Sequence, residues 1–374
     1  MIMNYCPQIF NKPDIEIILM TKRICFFSTS FAIHKQARTG YAEKFLPEDA
    51  EIFLLTPKKH NKYSLKRTKV IEMPGDKILF VLKMREFCIK NKIDVLINLG
   101  SPNEAFAMFL STFFSNTRYI IHFCSNIFDL PYGEKSLLKN LFLSAYRLFL
   151  SVPVFFVKKS IFTSEDIEEK ARKQFFLADK SIKFIPLILD ENIFAPENKS
   201  NARKKLNLPL NKKIILYVGR ISYLKGSDIL FELAKENPEK LFIFIGEIFD
   251  HTILKNNPEN IILLKSREMK DLIKYYNAAD LFIFPSRIEA YGLVHREAML
   301  CETPALVSDI TALRLTKHTL KAKPNTEDMQ KQIERFFAMS KKERQELGKL
   351  GRQYVIETNS YENLKDKWRE ALMN

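Results

Sequence analysis

Two glutamates, Glu289 and Glu297, stand eight positions apart in PSRIEAYGLVHREAM (residues 285–299), with Gly292 between them. The apolar run ADLFIF comes directly before this stretch. A strand that runs into a glycine turn and then a helix exposes the free backbone N–H groups of the helix start, which form an anion site. Carboxylates beside such a site do not serve the anion, because like charges repel. They suit hydroxyls, such as a ribose diol or the hydroxyls of a sugar. A second group lies upstream in LYVGRISYLKGSD (216–228). There Gly219 ends an apolar run, Arg220 follows at once, and Lys225 lies five residues on beside Gly226. Arginine offers a bidentate fork and lysine a point charge, a pair suited to a diphosphate. No G-x-x-x-x-G-K-S/T occurs here, so this is not a Walker loop. Taken singly, the cations read as surface charge and Glu297 as a helix-start acid favoured by the dipole. Taken together, the groups fit a nucleotide sugar. The cations and amides would hold its diphosphate, and the acids would hold hydroxyls at its two ends.

Such groups need a frame that brings distant segments together. Short apolar runs alternate with amphipathic stretches along most of the chain. In the first half the runs at 20–30, 51–56, 68–73, 93–99, 118–123, 160–164 and 182–187 predict strands. Helices are predicted over 78–92, 103–114, 135–157 and 166–176. The segment 190–213 is polar and breaks the rhythm, which places a boundary at 188–205. Strands then resume at 214–219, 241–246, 260–265, 280–285 and 304–308, with helices near 226–236, 268–278, 293–302 and 325–337. The tail from 340 reads as helical with a break near Thr358–Ser360.

Alternation of this kind predicts parallel sheets covered on both faces. A chain of 374 residues is too long for one ordinary core. The expected architecture is therefore α/β, with two facing Rossmann-like doubly wound domains. The first spans 1–189, with 1–19 as an extension, and the second spans 190–374. The final helix, about 360–374, is free to pack back on the first domain or to stay with the second. Ligands of such sheets sit beyond the carboxyl ends of the strands, and two facing domains make a deep cleft.

Other classes are disfavoured. The five cysteines are scattered, with no C-x-x-C pair and no histidine cluster at ligand spacing. That fits a reducing cytosol and no structural zinc. No repeat of 20–50 residues is evident, which argues against solenoids and propellers. The net charge is +15, and the first 190 residues carry +9 of it. Dispersed lysine reads first as a solvated surface, with an anionic partner as the alternative. No aromatic–basic RNA motif is visible. The run NLFLSAYRLFLSVPVFFV (140–157) contains Arg147 and Pro153 and falls short of a membrane span. A buried helix is one reading; an interfacial helix is another, because Lys135, Lys139, Lys158 and Lys159 flank it.

The pattern VGR-x4-KG, followed by AAD-x4-PS-x2-E-x2-G-x4-EAM-x3-TP, resembles the retaining glycosyltransferases of family four, which have the GT-B fold and an E-x7-E signature. The resemblance covers most of 190–310, and the first half matches in layout only. It implies transfer of a sugar from a nucleoside diphosphate sugar to an acceptor hydroxyl, with retention of configuration and without a metal or other cofactor. Arg220 and Lys225 match the family's diphosphate-binding pair, which stabilises the leaving nucleotide, with Gly219 beside them. Glu289 matches the acid at the transferred sugar and Glu297 the acid at the ribose. Ala290, Tyr291, Gly292, Leu293 and Val294 match the loop and helix start that meet phosphate and sugar.

In the first half, His122 falls where the family often has a histidine near the transferred sugar, and Gly40 where it has a glycine-rich loop. His295, between the two acids, is expected to face solvent. The chain departs from the pattern at three places. Gly40 stands alone in its loop, Glu302 replaces a common glycine, and Lys265 replaces the glycine after IILL. These leave donor and acceptor identity open.

A glycan or lipid-linked acceptor is expected, in surface glycan, lipopolysaccharide or glycolipid synthesis. A soluble acceptor is equally compatible with the residues. The expected location is cytoplasmic, with peripheral contact at the inner face of an anionic membrane as an option. The rival readings are a sugar-nucleotide epimerase or phosphorylase on the same fold, and a non-catalytic basic binding protein.

Overall fold

A computed structural model describes residues 21–27, 41–57, 65–98, 104–124, 145, 148–149, 151–157, 159–175, 181–254, 258–314 and 316–374. Gly40 and the extension 1–19 lie outside the described residues. So does most of the run 135–157, of which 151–156 is helical.

The first sheet has seven strands: β1 (Arg23–Phe27), β2 (Glu51–Pro57), β3 (Thr68–Met73), β4 (Val95–Asn98), β5 (Arg118–Phe123), β6 (Lys159–Phe162) and β7 (Ser181–Phe184). Their order is β3-β2-β1-β4-β5-β6-β7, and all pairings are parallel. Runs such as VLIN are buried on both faces, as a covered parallel sheet requires. One face carries α1 (Lys77–Lys90), α2 (Ala105–Thr112), the helical residues 151–156 and α3 (Glu165–Phe175). The other carries the helical residues 41–45 and a helix from the far end of the chain.

The polar segment after β7 holds a seven-residue helix, α4 (Lys199–Lys205), where an irregular boundary was expected. Its sequence, KSNARKK, has no apolar period. Buried Arg203 anchors it by donating to Ala278 O at 2.9 Å and to Asp280 Oδ2 at 2.8 Å.

The second sheet has β8 (Ile214–Val218), β9 (Leu241–Ile245), β10 (Ile261–Leu264), β11 (Leu281–Phe284), β12 (Ala305–Ser308) and β13 (Leu320–Ala322), in the order β10-β9-β8-β11-β12-β13. β13 is too short and too polar to stand out as an apolar run. Between and after the strands come α5 (Ser227–Glu236), α6 (Met269–Ala278), α7 (Leu293–Leu300), the short α8 (Thr311–Arg314), α9 (Thr326–Ala338) and α10 (Lys341–Asn359). Counted from its first strand, the order is 3-2-1-4-5-6. The winding therefore reverses between β8 and β11, and the crevice that binds ligands in such sheets opens there.

α10 stops at Asn359 because Ser360 caps the next helix, α11 (Tyr361–Met373), through Asn363 N at 3.4 Å. α11 crosses to the first sheet. Leu364, Trp368, Ala371 and Leu372 share a core with Ile24, Ile52 and Val95. Arg369 Nε donates to Phe45 O at 2.6 Å. Ala290, from the loop after β11, packs in turn among Phe123 and Phe162 of the first sheet. Both connections hold the end of β11 against the first half of the chain.

Candidate active site

The carboxyl ends of the paired parallel strands β8 and β11 lie side by side at the reversal point. β8 runs into Gly219, whose φ of +155° and short contact to Tyr217 leave no room for a side chain: an added Cβ would lie 2.8 Å from Tyr217 Oη. Tyr217 Oη donates to Arg220 O at 2.7 Å and fixes the start of the turn. The Arg220 side chain is exposed. Its guanidinium lies 5.5 Å from the Phe249 ring centroid, and among the described residues it makes no ion pair. The turn closes at Gly226, φ +71°, from which α5 starts.

Two bridges span the crevice. Lys225 Nζ meets Glu289 Oε2 at 2.7 Å and also donates to Ile288 O at 3.1 Å. The Arg287 guanidinium forms a bidentate pair with Asp228, both contacts at 2.7 Å, and lies 3.9 Å from the Tyr223 ring centroid. The first bridge involves two residues that could do chemistry; the second fixes the loop between them. Glu289 and Lys225 are largely buried, and Ala290 N donates to Glu289 Oε1 at 3.0 Å. Burial pushes the Glu289 carboxyl up. The Lys225 ammonium and the N–H groups of Ala290 and Tyr291 outweigh it and hold the acid below the usual carboxylate range. Glu289 is therefore an anion at neutral pH with a cation already beside it.

α7 starts at Gly292, φ +71°, and no side chain caps its first N–H groups. The uncapped start is open to an anion from the crevice. Leu293 and Val294, its first residues, are partly buried against the second core. The phenol of Tyr291, just before the turn, accepts from Asn359 Nδ2 at 2.6 Å, and the same nitrogen reaches Leu187 O at 2.7 Å. The turn is thus tied to the corner where α10 becomes α11.

Glu297 lies one turn into α7 and is 6% exposed. Its Oε2 accepts from Tyr276 Oη at 2.7 Å. Among the described residues its other oxygen accepts no hydrogen bond. Burial pushes this acid up to about 7, and the Tyr276 hydrogen bond opposes that rise. The consequence for stability has a definite sign. In the unfolded chain Glu297 ionises near the ordinary 4.5, so the folded state loses stability as pH rises from there to about 7. Glu297→Gln should therefore melt above the parent at pH 8 and close to it at pH 4.5. Melting curves across that range test this, and a constant difference at every pH would refute it.

One expectation is corrected. His295 does not face solvent: it is fully buried beneath Gly292, where an added Cβ would come within 2.6 Å of its Nδ1. α7 is covered all round, so no face of it was free for the ring. Burial and the neighbouring Arg296 keep the imidazole neutral. His122 is the last residue but one of β5 and is buried. Along β5, Ile121 and Phe123 face the layer that also holds Ala290, so His122 points to the opposite face. There it meets Trp368 edge-on at 5.2 Å in an apolar cavity with Phe26, Phe45 and Ile97.

Sequence reasoning missed Tyr276 and Asn359. A tyrosine on a buried helix face needs a partner for its hydroxyl, and that much was legible. The identity of each partner depended on packing between segments far apart in the chain.

Residues 198–354 match the family described as glycosyl transferases group 1. They form a group 1 glycosyltransferase domain. A D-inositol 3-phosphate glycosyltransferase from Segniliparus rotundus is 30% identical over 155 residues, which cover 37% of this chain and 34% of that relative. The chain thus spans about a third of the length of this curated relative. Solved structures resemble the whole chain. Sucrose-phosphate synthase from Thermosynechococcus elongatus aligns with a TM-score of 0.76 at 18% identity, covering 93% of this chain and 98% of that one. Anabaena HepE in complex with UDP-glucose aligns with a TM-score of 0.75 at 15% identity, covering 94% and 99%. The glycosyltransferase domain is therefore the second half of a GT-B fold. Its two acids and two cations lie in the part of the chain that the family match covers.

Proposed function

We propose that this protein transfers a sugar from a nucleoside diphosphate sugar to an acceptor hydroxyl, with retention of configuration at the anomeric carbon. The observation that carries the reading is the Lys225–Glu289 pair at the reversal point, 2.7 Å apart, beside exposed Arg220 and the uncapped start of α7. A diphosphate needs fixed positive charge, and a sugar needs a carboxylate to accept from its hydroxyls. HepE, which shares the fold, binds UDP-glucose, and this supports the donor class.

In this reading Arg220, Lys225 and the amides at Gly292–Val294 take up the charge of the departing diphosphate. Preorganised charge of this kind is commonly the largest catalytic contribution. Glu289 orients the transferred sugar and Glu297 the ribose. A leaving phosphate oxygen takes the acceptor proton, and the chain needs no resident metal or other cofactor. The acceptor is a glycan or a lipid-linked glycan, and the work is done in the cytoplasm.

A thermal-shift series with UDP, GDP, ADP and CMP tests the donor site. One nucleotide should raise the melting temperature of the parent and not that of an Arg220→Ala, Lys225→Ala variant. Ligand at a hundred times its dissociation constant adds about 2.7 kcal/mol. No shift with any of the four would remove the support for a nucleotide-sugar donor.

A further inference from the structure

We propose that the outer face of the α1–α2 layer on the first sheet docks on an anionic lipid surface. α1 is apolar on two opposite sides. Phe80, Met84 and Cys88 are buried against the sheet. Ile78, Leu82 and Ile89 form a second stripe on the outward side, with Ile78 75% exposed. A helix that is apolar all round is expected to be covered all round, and this one has solvent on one side.

The exposed stripe does not stand alone. Arg85 of α1 donates to the carbonyls of Leu110 and Phe113, which joins α1 to the end of α2. From there aromatic rings continue across the face. Phe109 contacts Phe113 at 5.3 Å and Phe156 at 5.2 Å, and Phe156 contacts Phe155 at 5.3 Å. Phe114, next to Phe113, is 90% exposed, and Phe155 is 70% exposed. A patch this continuous exceeds the scattered apolar residues of an ordinary surface.

Phe114 adds an independent observation. Its φ is +58°, a region that bulky side chains rarely adopt. The ring meets its neighbour Phe113 at 4.2 Å and is otherwise open to solvent, so the fold recovers little for the strain. Strain kept at an exposed aromatic points to a role outside the folded chain.

Charge selects the occupant. Residues 77–92 hold five Lys and Arg and one acid, Glu86. Lys77, Lys83, Lys90 and Lys92 are all exposed. Apolar side chains rimmed by cations match an anionic bilayer surface, where rings enter the interface and lysines meet headgroups. A second copy of the chain fits less well, because a two-fold contact would face one lysine row with its equal. Among the described residues no helix is long and apolar enough to cross a membrane.

The test is co-sedimentation of the full chain with vesicles of phosphatidylcholine alone, or with phosphatidylglycerol added. Binding should need phosphatidylglycerol and weaken with salt. The variant Phe114→Asn, Phe155→Ser should lower the vesicle partition coefficient by about tenfold or more. It should melt at or above the parent temperature, since Asn tolerates the backbone at position 114. Three results would overturn the proposal. They are no binding to either vesicle, binding unchanged in the variant, and a concentration-dependent dimer that the variant abolishes. None of them bears on nucleotide binding, so failure here leaves the donor site untouched.

Discussion

Lys225→Met is expected to cut turnover by at least about a hundredfold in a chain that still folds. The lysine has two jobs in the proposed reaction, and the variant removes both. It supplies one of the two cations for the leaving diphosphate. It also holds Glu289, through the 2.7 Å contact, as an anion in a largely buried position. Loss of the partner leaves a carboxylate whose burial only the N–H groups of Ala290 and Tyr291 still offset. For a fully buried pair that costs about 3–5 kcal/mol, and here both groups keep some solvent, so about 2 kcal/mol is expected.

The pH dependence follows. With Lys225 present the Glu289 carboxyl is held below 4.5, and its stabilising effect is lost only as pH falls through that lowered value. Without the lysine the acid limb of kcat/KM should move to higher pH. A second substitution separates the two jobs. Lys225→Met, Glu289→Gln removes the stranded charge, so it should melt above the single variant and remain as inactive. If Lys225→Met turned over like the parent, the diphosphate assignment would fall.

Much of the frame behind this pair was legible because buried parallel strands are simple objects. Runs such as IILYV, LFIFI and LFIF are four or five residues long and apolar on both sides, as a sheet covered on both faces demands. Strand ends could therefore be placed to within about three residues. Placing Gly219 and Pro285 at strand ends was enough to bring Arg220, Lys225 and Glu289 to one edge of a sheet. The strand order put that edge at the reversal point.

What stayed hidden has a common cause. His122 sits in RYIIHF, where both faces are apolar, so the sequence marks the end of the strand but not the face. His295 sits on a helix buried on every side, and amphipathic reasoning has no polar face to find there. α4 gains its order from buried Arg203, buried Ala202 and the Asn198 cap rather than from a period. Asn359 acts through Tyr291, 68 positions away, and no spacing rule reaches that far.

Gly226→Ala should lower the melting temperature by several degrees, on the order of 8 °C, while Gly75→Ala should leave it unchanged. Both glycines precede a helix, and only one is held on two counts. Gly226 has φ +71°, where a side chain costs about 1–2 kcal/mol. Its added Cβ would also lie 2.1 Å from Pro285 O. A main-chain oxygen has no rotamer to turn aside, so either the end of β11 or the turn before α5 must move. Forced displacements of this kind add about 1–3 kcal/mol. Gly75 meets nothing within 4 Å. The displacement also has a chemical consequence. Lys225 precedes Gly226, and Ser286, whose hydroxyl donates to Ile288 O at 2.7 Å, follows Pro285. Any shift between the two segments therefore stretches the Lys225–Glu289 contact. The variant should bind nucleotide less tightly even at temperatures where it is fully folded, which titration calorimetry at 15–20 °C below its own melting point can read. A variant that melted early yet bound as the parent does would show that close packing of the two strand ends serves stability alone.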